Sequence, residues 1–86
     1  MQEDAWVIEV SGTDNPDIVD LRELEAPEPL YRVLLAASEL GPDDVFLARL
    51  PHVPHPLFPL LEERNLRWWV HEESDRSVLL AVKAAP

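Results

Sequence analysis

Apolar and polar positions alternate along this chain in a way that marks out a short series of elements. Trp6-Val7-Ile8-Glu9-Val10 combines aromatic and β-branched residues and predicts a short strand. Ser11 to Asp17 is rich in turn formers and reads as a linker. Ile18 to Leu21 predicts a second short strand. Leu30, Val33, Leu34, Ala37 and Leu40 then recur at helical spacing and form one apolar stripe. Pro27 and Pro29 open that helix, because a proline in the first turn loses no intrahelical hydrogen bond. Gly41-Pro42 is expected to close it.

Val45 to Leu50 is apolar except for Arg49 and predicts a central strand with much of both faces covered. Pro51-His52-Val53-Pro54-His55-Pro56 predicts a stiff, near-extended loop. Leu57, Leu60 and Leu61 give a shorter helical stripe in which Pro59 must occupy the first turn. Asn65 suits a left-handed residue at its end. Leu66 to Glu73 and Ser77 to Lys83, either side of Ser74-Asp75-Arg76, predict an antiparallel hairpin.

The order β-α-β-α-β-β, with an extra N-terminal strand as an option, predicts an α+β two-layer sandwich. Its small mixed sheet would carry both helices on one face and leave the other without helical cover. With 86 residues there is room for one domain. The expected division is an N-terminal strand and linker over 1–17 and the domain proper over 18–86. A chain this short buries about 60–65% of its unfolded surface, so a modest core is expected and a deep enclosed pocket is not.

Charge narrows the class of partner. Seventeen acids against seven bases give a formal net charge of −10. Such a surface repels phosphate backbones and anionic lipid, so neither nucleic acid nor a membrane is expected as a partner. Basic partners, metal cations and protein surfaces stay open, a homodimer among them. The chain has no cysteine, which removes disulfides, thiolate and persulfide chemistry and Cys-ligated zinc. The longest aliphatic run, Val33 to Ala37, is far too short to span a bilayer. Glu3 and Asp4 stand where a basic signal region would be, so a cytoplasmic location is expected. The bias to proline, alanine, leucine and arginine is compatible with a GC-rich prokaryote.

The stretch Asp20-Leu21-Arg22-Glu23-Leu24-Glu25-Ala26-Pro27-Glu28-Pro29 resembles the signature of the TusA-like (SirA-like) superfamily. There, a strand ending in D-L-R leads into C-P-x-P at the start of the first helix. The element order is similar to that superfamily over residues 18 to 83. The resemblance implies a shaped strand-to-helix turn built on Asp20, Arg22, Pro27 and Pro29. It departs at Ala26, the position of the family cysteine. In a sulfur carrier the thiol sits at a helix N-terminus, whose dipole favours the anionic persulfide. A methyl group carries no sulfur.

The whole chain is more similar still to a cysteine-free branch of that superfamily, a domain of unknown function. Pro27-Glu28-Pro29-Leu30, His52 to His55, Pro59 to Arg64 and Trp69-Val70-His71-Glu72 carry that likeness. It implies a non-catalytic accessory or protein-interaction module that has lost sulfur-carrier chemistry.

Three places offer candidate chemistry. His52 and His55 sit three apart in a stiff loop and form a candidate divalent-metal pair, with Glu25 or Glu28 as a hard ligand. Spacing of that kind outside a helix specifies little, and solvated loop histidines are the plainer reading. Arg22, Glu23, Glu25 and Glu28 make a candidate polar site at the helix start, although acids there also serve simply to complement the dipole. Trp68 and Trp69 must point to opposite faces of a strand. Trp69 and Leu79 then fall on the face without helices, a candidate interface, unless the N-terminal segment lies there.

Catalysis lacks parts. Ser11, Ser38, Ser74 and Ser77 have no G-x-S-x-G setting, and two glycines build no phosphate-cradling loop. A non-enzymatic interaction module is therefore the expectation. A metal-handling domain using His52 and His55 is the alternative, and an anion binder working through Arg22 and the helix start comes third. No resident cofactor is expected beyond that candidate metal.

Overall fold

The computed structural model describes residues 17–73 and 75–84. Strand β1, Val19–Asp20, is only two residues long and pairs in parallel with β2, Val45–Leu50. Parallel neighbours need a crossover, and helix α1, Glu28–Ala37, supplies it. Helix α2, Leu57–Glu63, leads from β2 to β3, Leu66–Glu72, which turns back into β4, Val78–Ala84. β4 pairs antiparallel with both β3 and β2, giving the sheet order β1-β2-β4-β3. This is the two-layer α+β arrangement expected from the hydrophobic pattern. The strand expected over Trp6 to Val10 and the linker after it, up to Pro16, lie outside the described residues.

The helices cover one face. Val33 and Ala37 of α1 and Leu57 and Leu61 of α2 pack with Ala48, Leu50, Val78, Leu80 and Val82 of the sheet. Each fully buried leucine here contributes about 1.5–3 kcal/mol relative to leaving it in water. Phe58 of α2 stacks on Trp68 of β3 with ring centroids 5.5 Å apart, which fixes that helix against the edge of the sheet.

The opposite face holds a smaller cluster of Leu47, Leu79 and Ala81, joined by Ile18, Val45 and Trp69 and by no residue of either helix. Here one expectation needs correction. Trp69 and Leu79 do share this face, but Leu79 is 0% exposed and offers no surface to a partner. It lies in a central strand, packed in that cluster with Leu47 and Ala81, and its register partners are Arg49 on β2 and His71 on β3. Trp69 is half-buried, with the Arg67 guanidinium 5.3 Å from its ring centroid.

Two boundaries show how local chemistry ends an element. α1 stops at Ala37, earlier than Gly41-Pro42 suggested. The Ser38 hydroxyl donates to the Leu35 carbonyl (2.6 Å) and caps the helix in its own last turn. The Gly41 N–H is held instead by Asp44 Oδ2 at 2.8 Å, while Leu40 still packs against the core. α2 behaves as expected: Pro59 lies in its first turn, and Asn65 beyond its end is left-handed, with φ 62°.

Candidate functional site

The strand-to-helix turn begins as an ion-paired clamp. Strand alternation sends Leu21 into the core and leaves Asp20 and Arg22 outside. The Asp20 carboxylate accepts from the Arg22 backbone N–H (3.1 Å), its Nε (2.9 Å) and its Nη2 (2.7 Å). This two-pronged grip fixes the guanidinium geometrically as well as electrostatically. The remaining prong, Nη1, lies 3.6 Å from Asp75 Oδ2 in the β3–β4 turn. Asp75 in turn accepts from the Ser77 hydroxyl (2.5 Å) and backbone N–H (3.1 Å). Beside them Arg49 of β2 pairs with Glu73, their side chains only 23% and 16% exposed. The clamp thus ties β1, β2 and the hairpin turn together.

Its charges are committed. The hydrogen bonds from the Arg22 side chain, then from its backbone N–H, hold Asp20 down at about 2. Asp20 pushes the Arg22 guanidinium up in return. The Ser77 hydroxyl and N–H lower Asp75 below the usual carboxylate range. Arg22, expected as a group available to a partner or a neighbouring glutamate, is spent on Asp20 and Asp75 instead.

The helix start that follows is equally poor in free donors. The Ala26–Pro27 bond is cis, and Pro27 precedes the first helical residue. The Glu28 N–H goes to the Glu25 carbonyl at 2.9 Å, and Pro29 has none. An anion at this end would find few of the N–H groups that usually receive one. The Glu28 carboxylate is paired with Arg32 at 3.0 Å, an i,i+4 contact along α1. Glu23 and Glu25 are exposed and make no ion pair among the described residues.

Between this turn and the proline-rich loop lies an open cleft of about 450 Å³. One wall is Leu24, Ala26, Pro27, Pro29 and Leu30; the other is Pro51, Val53, Pro54 and Pro56. Buried Val33, Leu50 and Leu57 form its base. Only Glu25 and His52 bring ionisable groups to it. The volume falls within the range of small-ligand and side-chain pockets.

The sequence-derived candidates therefore separate. Ala26, Pro27, Pro29, Glu25 and His52 meet at the cleft, whereas Asp20 and Arg22 belong to the clamp. His55 is turned edge-on to Phe58, 6.0 Å between centroids, and Glu28 is held by Arg32. Among the described residues no three or more His, Asp or Glu side chains converge as metal ligands, so His52 and His55 gain no third partner there. No helix among the described residues is long and apolar enough to cross a membrane.

Sequence reasoning missed two sets of residues. Leu30, Leu50 and Leu57 read as apolar positions of helices and a strand and Val53 as part of a stiff loop, and nothing in their spacing says that a cleft opens there. The Arg49–Glu73 pair had one visible signal, a single charge inside an otherwise apolar strand.

Comparison with known proteins adds a family and a fold. The profile of a family described as an uncharacterized conserved protein, DUF2249, matches residues 18–84. The crystal structure of a SirA-like protein from Desulfitobacterium hafniense superposes with a TM-score of 0.68, covering 80% of this chain and 97% of that one. At 18% identity the likeness is one of fold. No curated protein matches the chain.

Proposed function

The chain belongs to the DUF2249 family of uncharacterized conserved proteins, and from that premise we propose that it is a non-catalytic protein-interaction module that binds an apolar group in the cleft beside Ala26. The observation that carries this reading is the cleft itself. It is open, about 450 Å³, and walled by apolar side chains. Its wall includes the methyl group of Ala26, at the position where the resemblance to the TusA-like motif implies a cysteine. Burying an apolar group of a partner against such walls is favourable by about 25 cal/mol for each Å² removed from water.

The polar groups support the same reading. Glu25 and His52 make no side-chain hydrogen bond among the described residues, so no described residue orients either one. The nearby cations Arg22, Arg32 and Arg49 are engaged in ion pairs.

The test uses tag-free full-length protein titrated with the neutral fluorophore Nile red, followed by backbone amide NMR. Emission is expected to rise on binding, with shifts concentrated at Leu24, Ala26, Leu30 and Val53. Ala26→Glu, at an exposed position, should abolish both while leaving the rest of the spectrum in place. An unchanged response in Ala26→Glu would sink the proposal.

A further inference from the structure

Resting on that reading of the cleft, we infer that its occupant is a basic amphipathic helix presented by another protein. Backbone donors, charge and shape point to it together.

The donors come first. Pro27, Pro29, Pro51, Pro54 and Pro56 all line the cleft and have no N–H to offer. Several neighbouring N–H groups are already used. Leu24 donates to Leu21, Glu28 to Glu25, His55 to Val53 and Leu57 to Pro54, each onto a backbone carbonyl. An extended peptide that binds by strand addition needs a row of main-chain partners from its host, and an anion needs converging N–H groups. The five prolines interrupt any such row along this wall. A helix closes its own backbone hydrogen bonds and asks only for side-chain contact. An apolar, proline-stiffened wall is suited to that kind of guest and loses little entropy in receiving it.

Charge selects the helix. Glu25 stands on the rim and Glu23 lies two residues before it, both exposed and outside any ion pair of the described residues. The chain as a whole carries −10. The field at the mouth therefore favours Lys or Arg beside the partner's anchors and disfavours an acidic helix. Size sets the anchors: an open cleft of about 450 Å³ has room for two bulky apolar side chains, and a helix offers such a pair at i and i+3 or i+4.

The experiment is fluorescence anisotropy with three labelled synthetic peptides. The first places Leu at i, i+3, i+4 and i+7 with Lys on the flanks. The second exchanges each Lys for Glu. The third is the Lys peptide with a central proline. The Lys peptide should bind, gain helical circular dichroism on binding, and weaken as salt is raised. The Glu and proline peptides should bind at least about tenfold more weakly. Glu25→Gln should weaken the Lys peptide about threefold while leaving Nile red binding unchanged.

Equal binding of the three peptides, or no effect of Glu25→Gln, overturns the inference. If Nile red still reports the cleft while no Lys peptide binds, the helical occupant is wrong and the interaction reading stands. If neither binds, both fall. A dimer in native mass spectrometry that dissociates on Ala26→Glu would make a second copy of this chain the occupant, and would also overturn the inference.

Discussion

Within the ten residues from Asp20 to Pro29 the chain builds two surfaces of opposite character. On one side Asp20, Arg22, Arg49, Glu73, Asp75 and Ser77 direct their polar atoms at one another. On the other, Ala26, Pro27 and Pro29 face a trough with scarcely any polar group. The clamp runs from exposed Asp20, Arg22 and Asp75 to half-buried Arg49 and Glu73, and it is chemically saturated. The cleft is apolar yet open to contact. Where a motif carries both charges and prolines, the conspicuous charges need not mark the surface left open to a partner. Here they hold three strands in place, and the groups that can gain by meeting a partner are the apolar ones. In this domain the clamp positions the backbone and the cleft is what that positioning exposes.

The contrast can be tested from the strongest perturbation to the weakest. Leu50 lies next to Arg49 on β2 and also under the cleft, so Leu50→Ala should damage both regions. Its loss of buried contact should lower unfolding free energy by about 2–5 kcal/mol in urea titrations. Nile red affinity should fall with it.

Arg49→Ala should separate the two regions. It strands the half-buried Glu73 carboxylate and should destabilise by about 1–3 kcal/mol, with Nile red binding by the folded protein unaltered. A double-mutant cycle with Glu73→Gln would give the coupling of the pair.

Acid should act on the clamp through Asp20 and Asp75. Asp20 falls from 3.8 to about 2 on folding, so its charged form is the one the fold favours. That stabilisation is complete above 3.8 and is lost as pH drops from there toward about 2. Asp75 is lowered too and acts in the same direction. Thermal midpoints should therefore fall through this window, and fall less steeply in Asp20→Asn. A variant with the same slope as the parent would show that the clamp does not hold in solution.

Ala26→Glu should be the mirror image. Stability should stay within about 0.5 kcal/mol of the parent, as at most exposed sites, while probe binding disappears.

Much of this molecule was legible in local pattern. Helical spacing from Leu30 to Leu40 marked α1, though it overran the end at Ala37, and alternation in the last two strands marked the hairpin and its faces. Pro59 and Asn65 located the ends of α2. The missing cysteine removed thiol chemistry whatever the fold. Ala26, Glu25 and the two prolines were singled out, and they do line the cleft. The roles of Arg22 and Leu79 were not legible, because each depends on a neighbour far away in sequence. Asp75 takes up the last prong of Arg22, and the strands of Arg49 and His71 flank Leu79.

The division has a physical cause. Periodicity, capping and proline sterics act over a few residues, so the sequence by itself determined which elements form, in what order, and which face of each is apolar. The clamp joins residues 24 apart, Arg49 and Glu73, and the cleft joins a helix start to a loop more than 20 residues later. Those distances collapse only when α1 crosses over and β2 seats between β1 and β4. Only the tertiary structure decided that the charges would satisfy one another and that the prolines would be left facing open, apolar space.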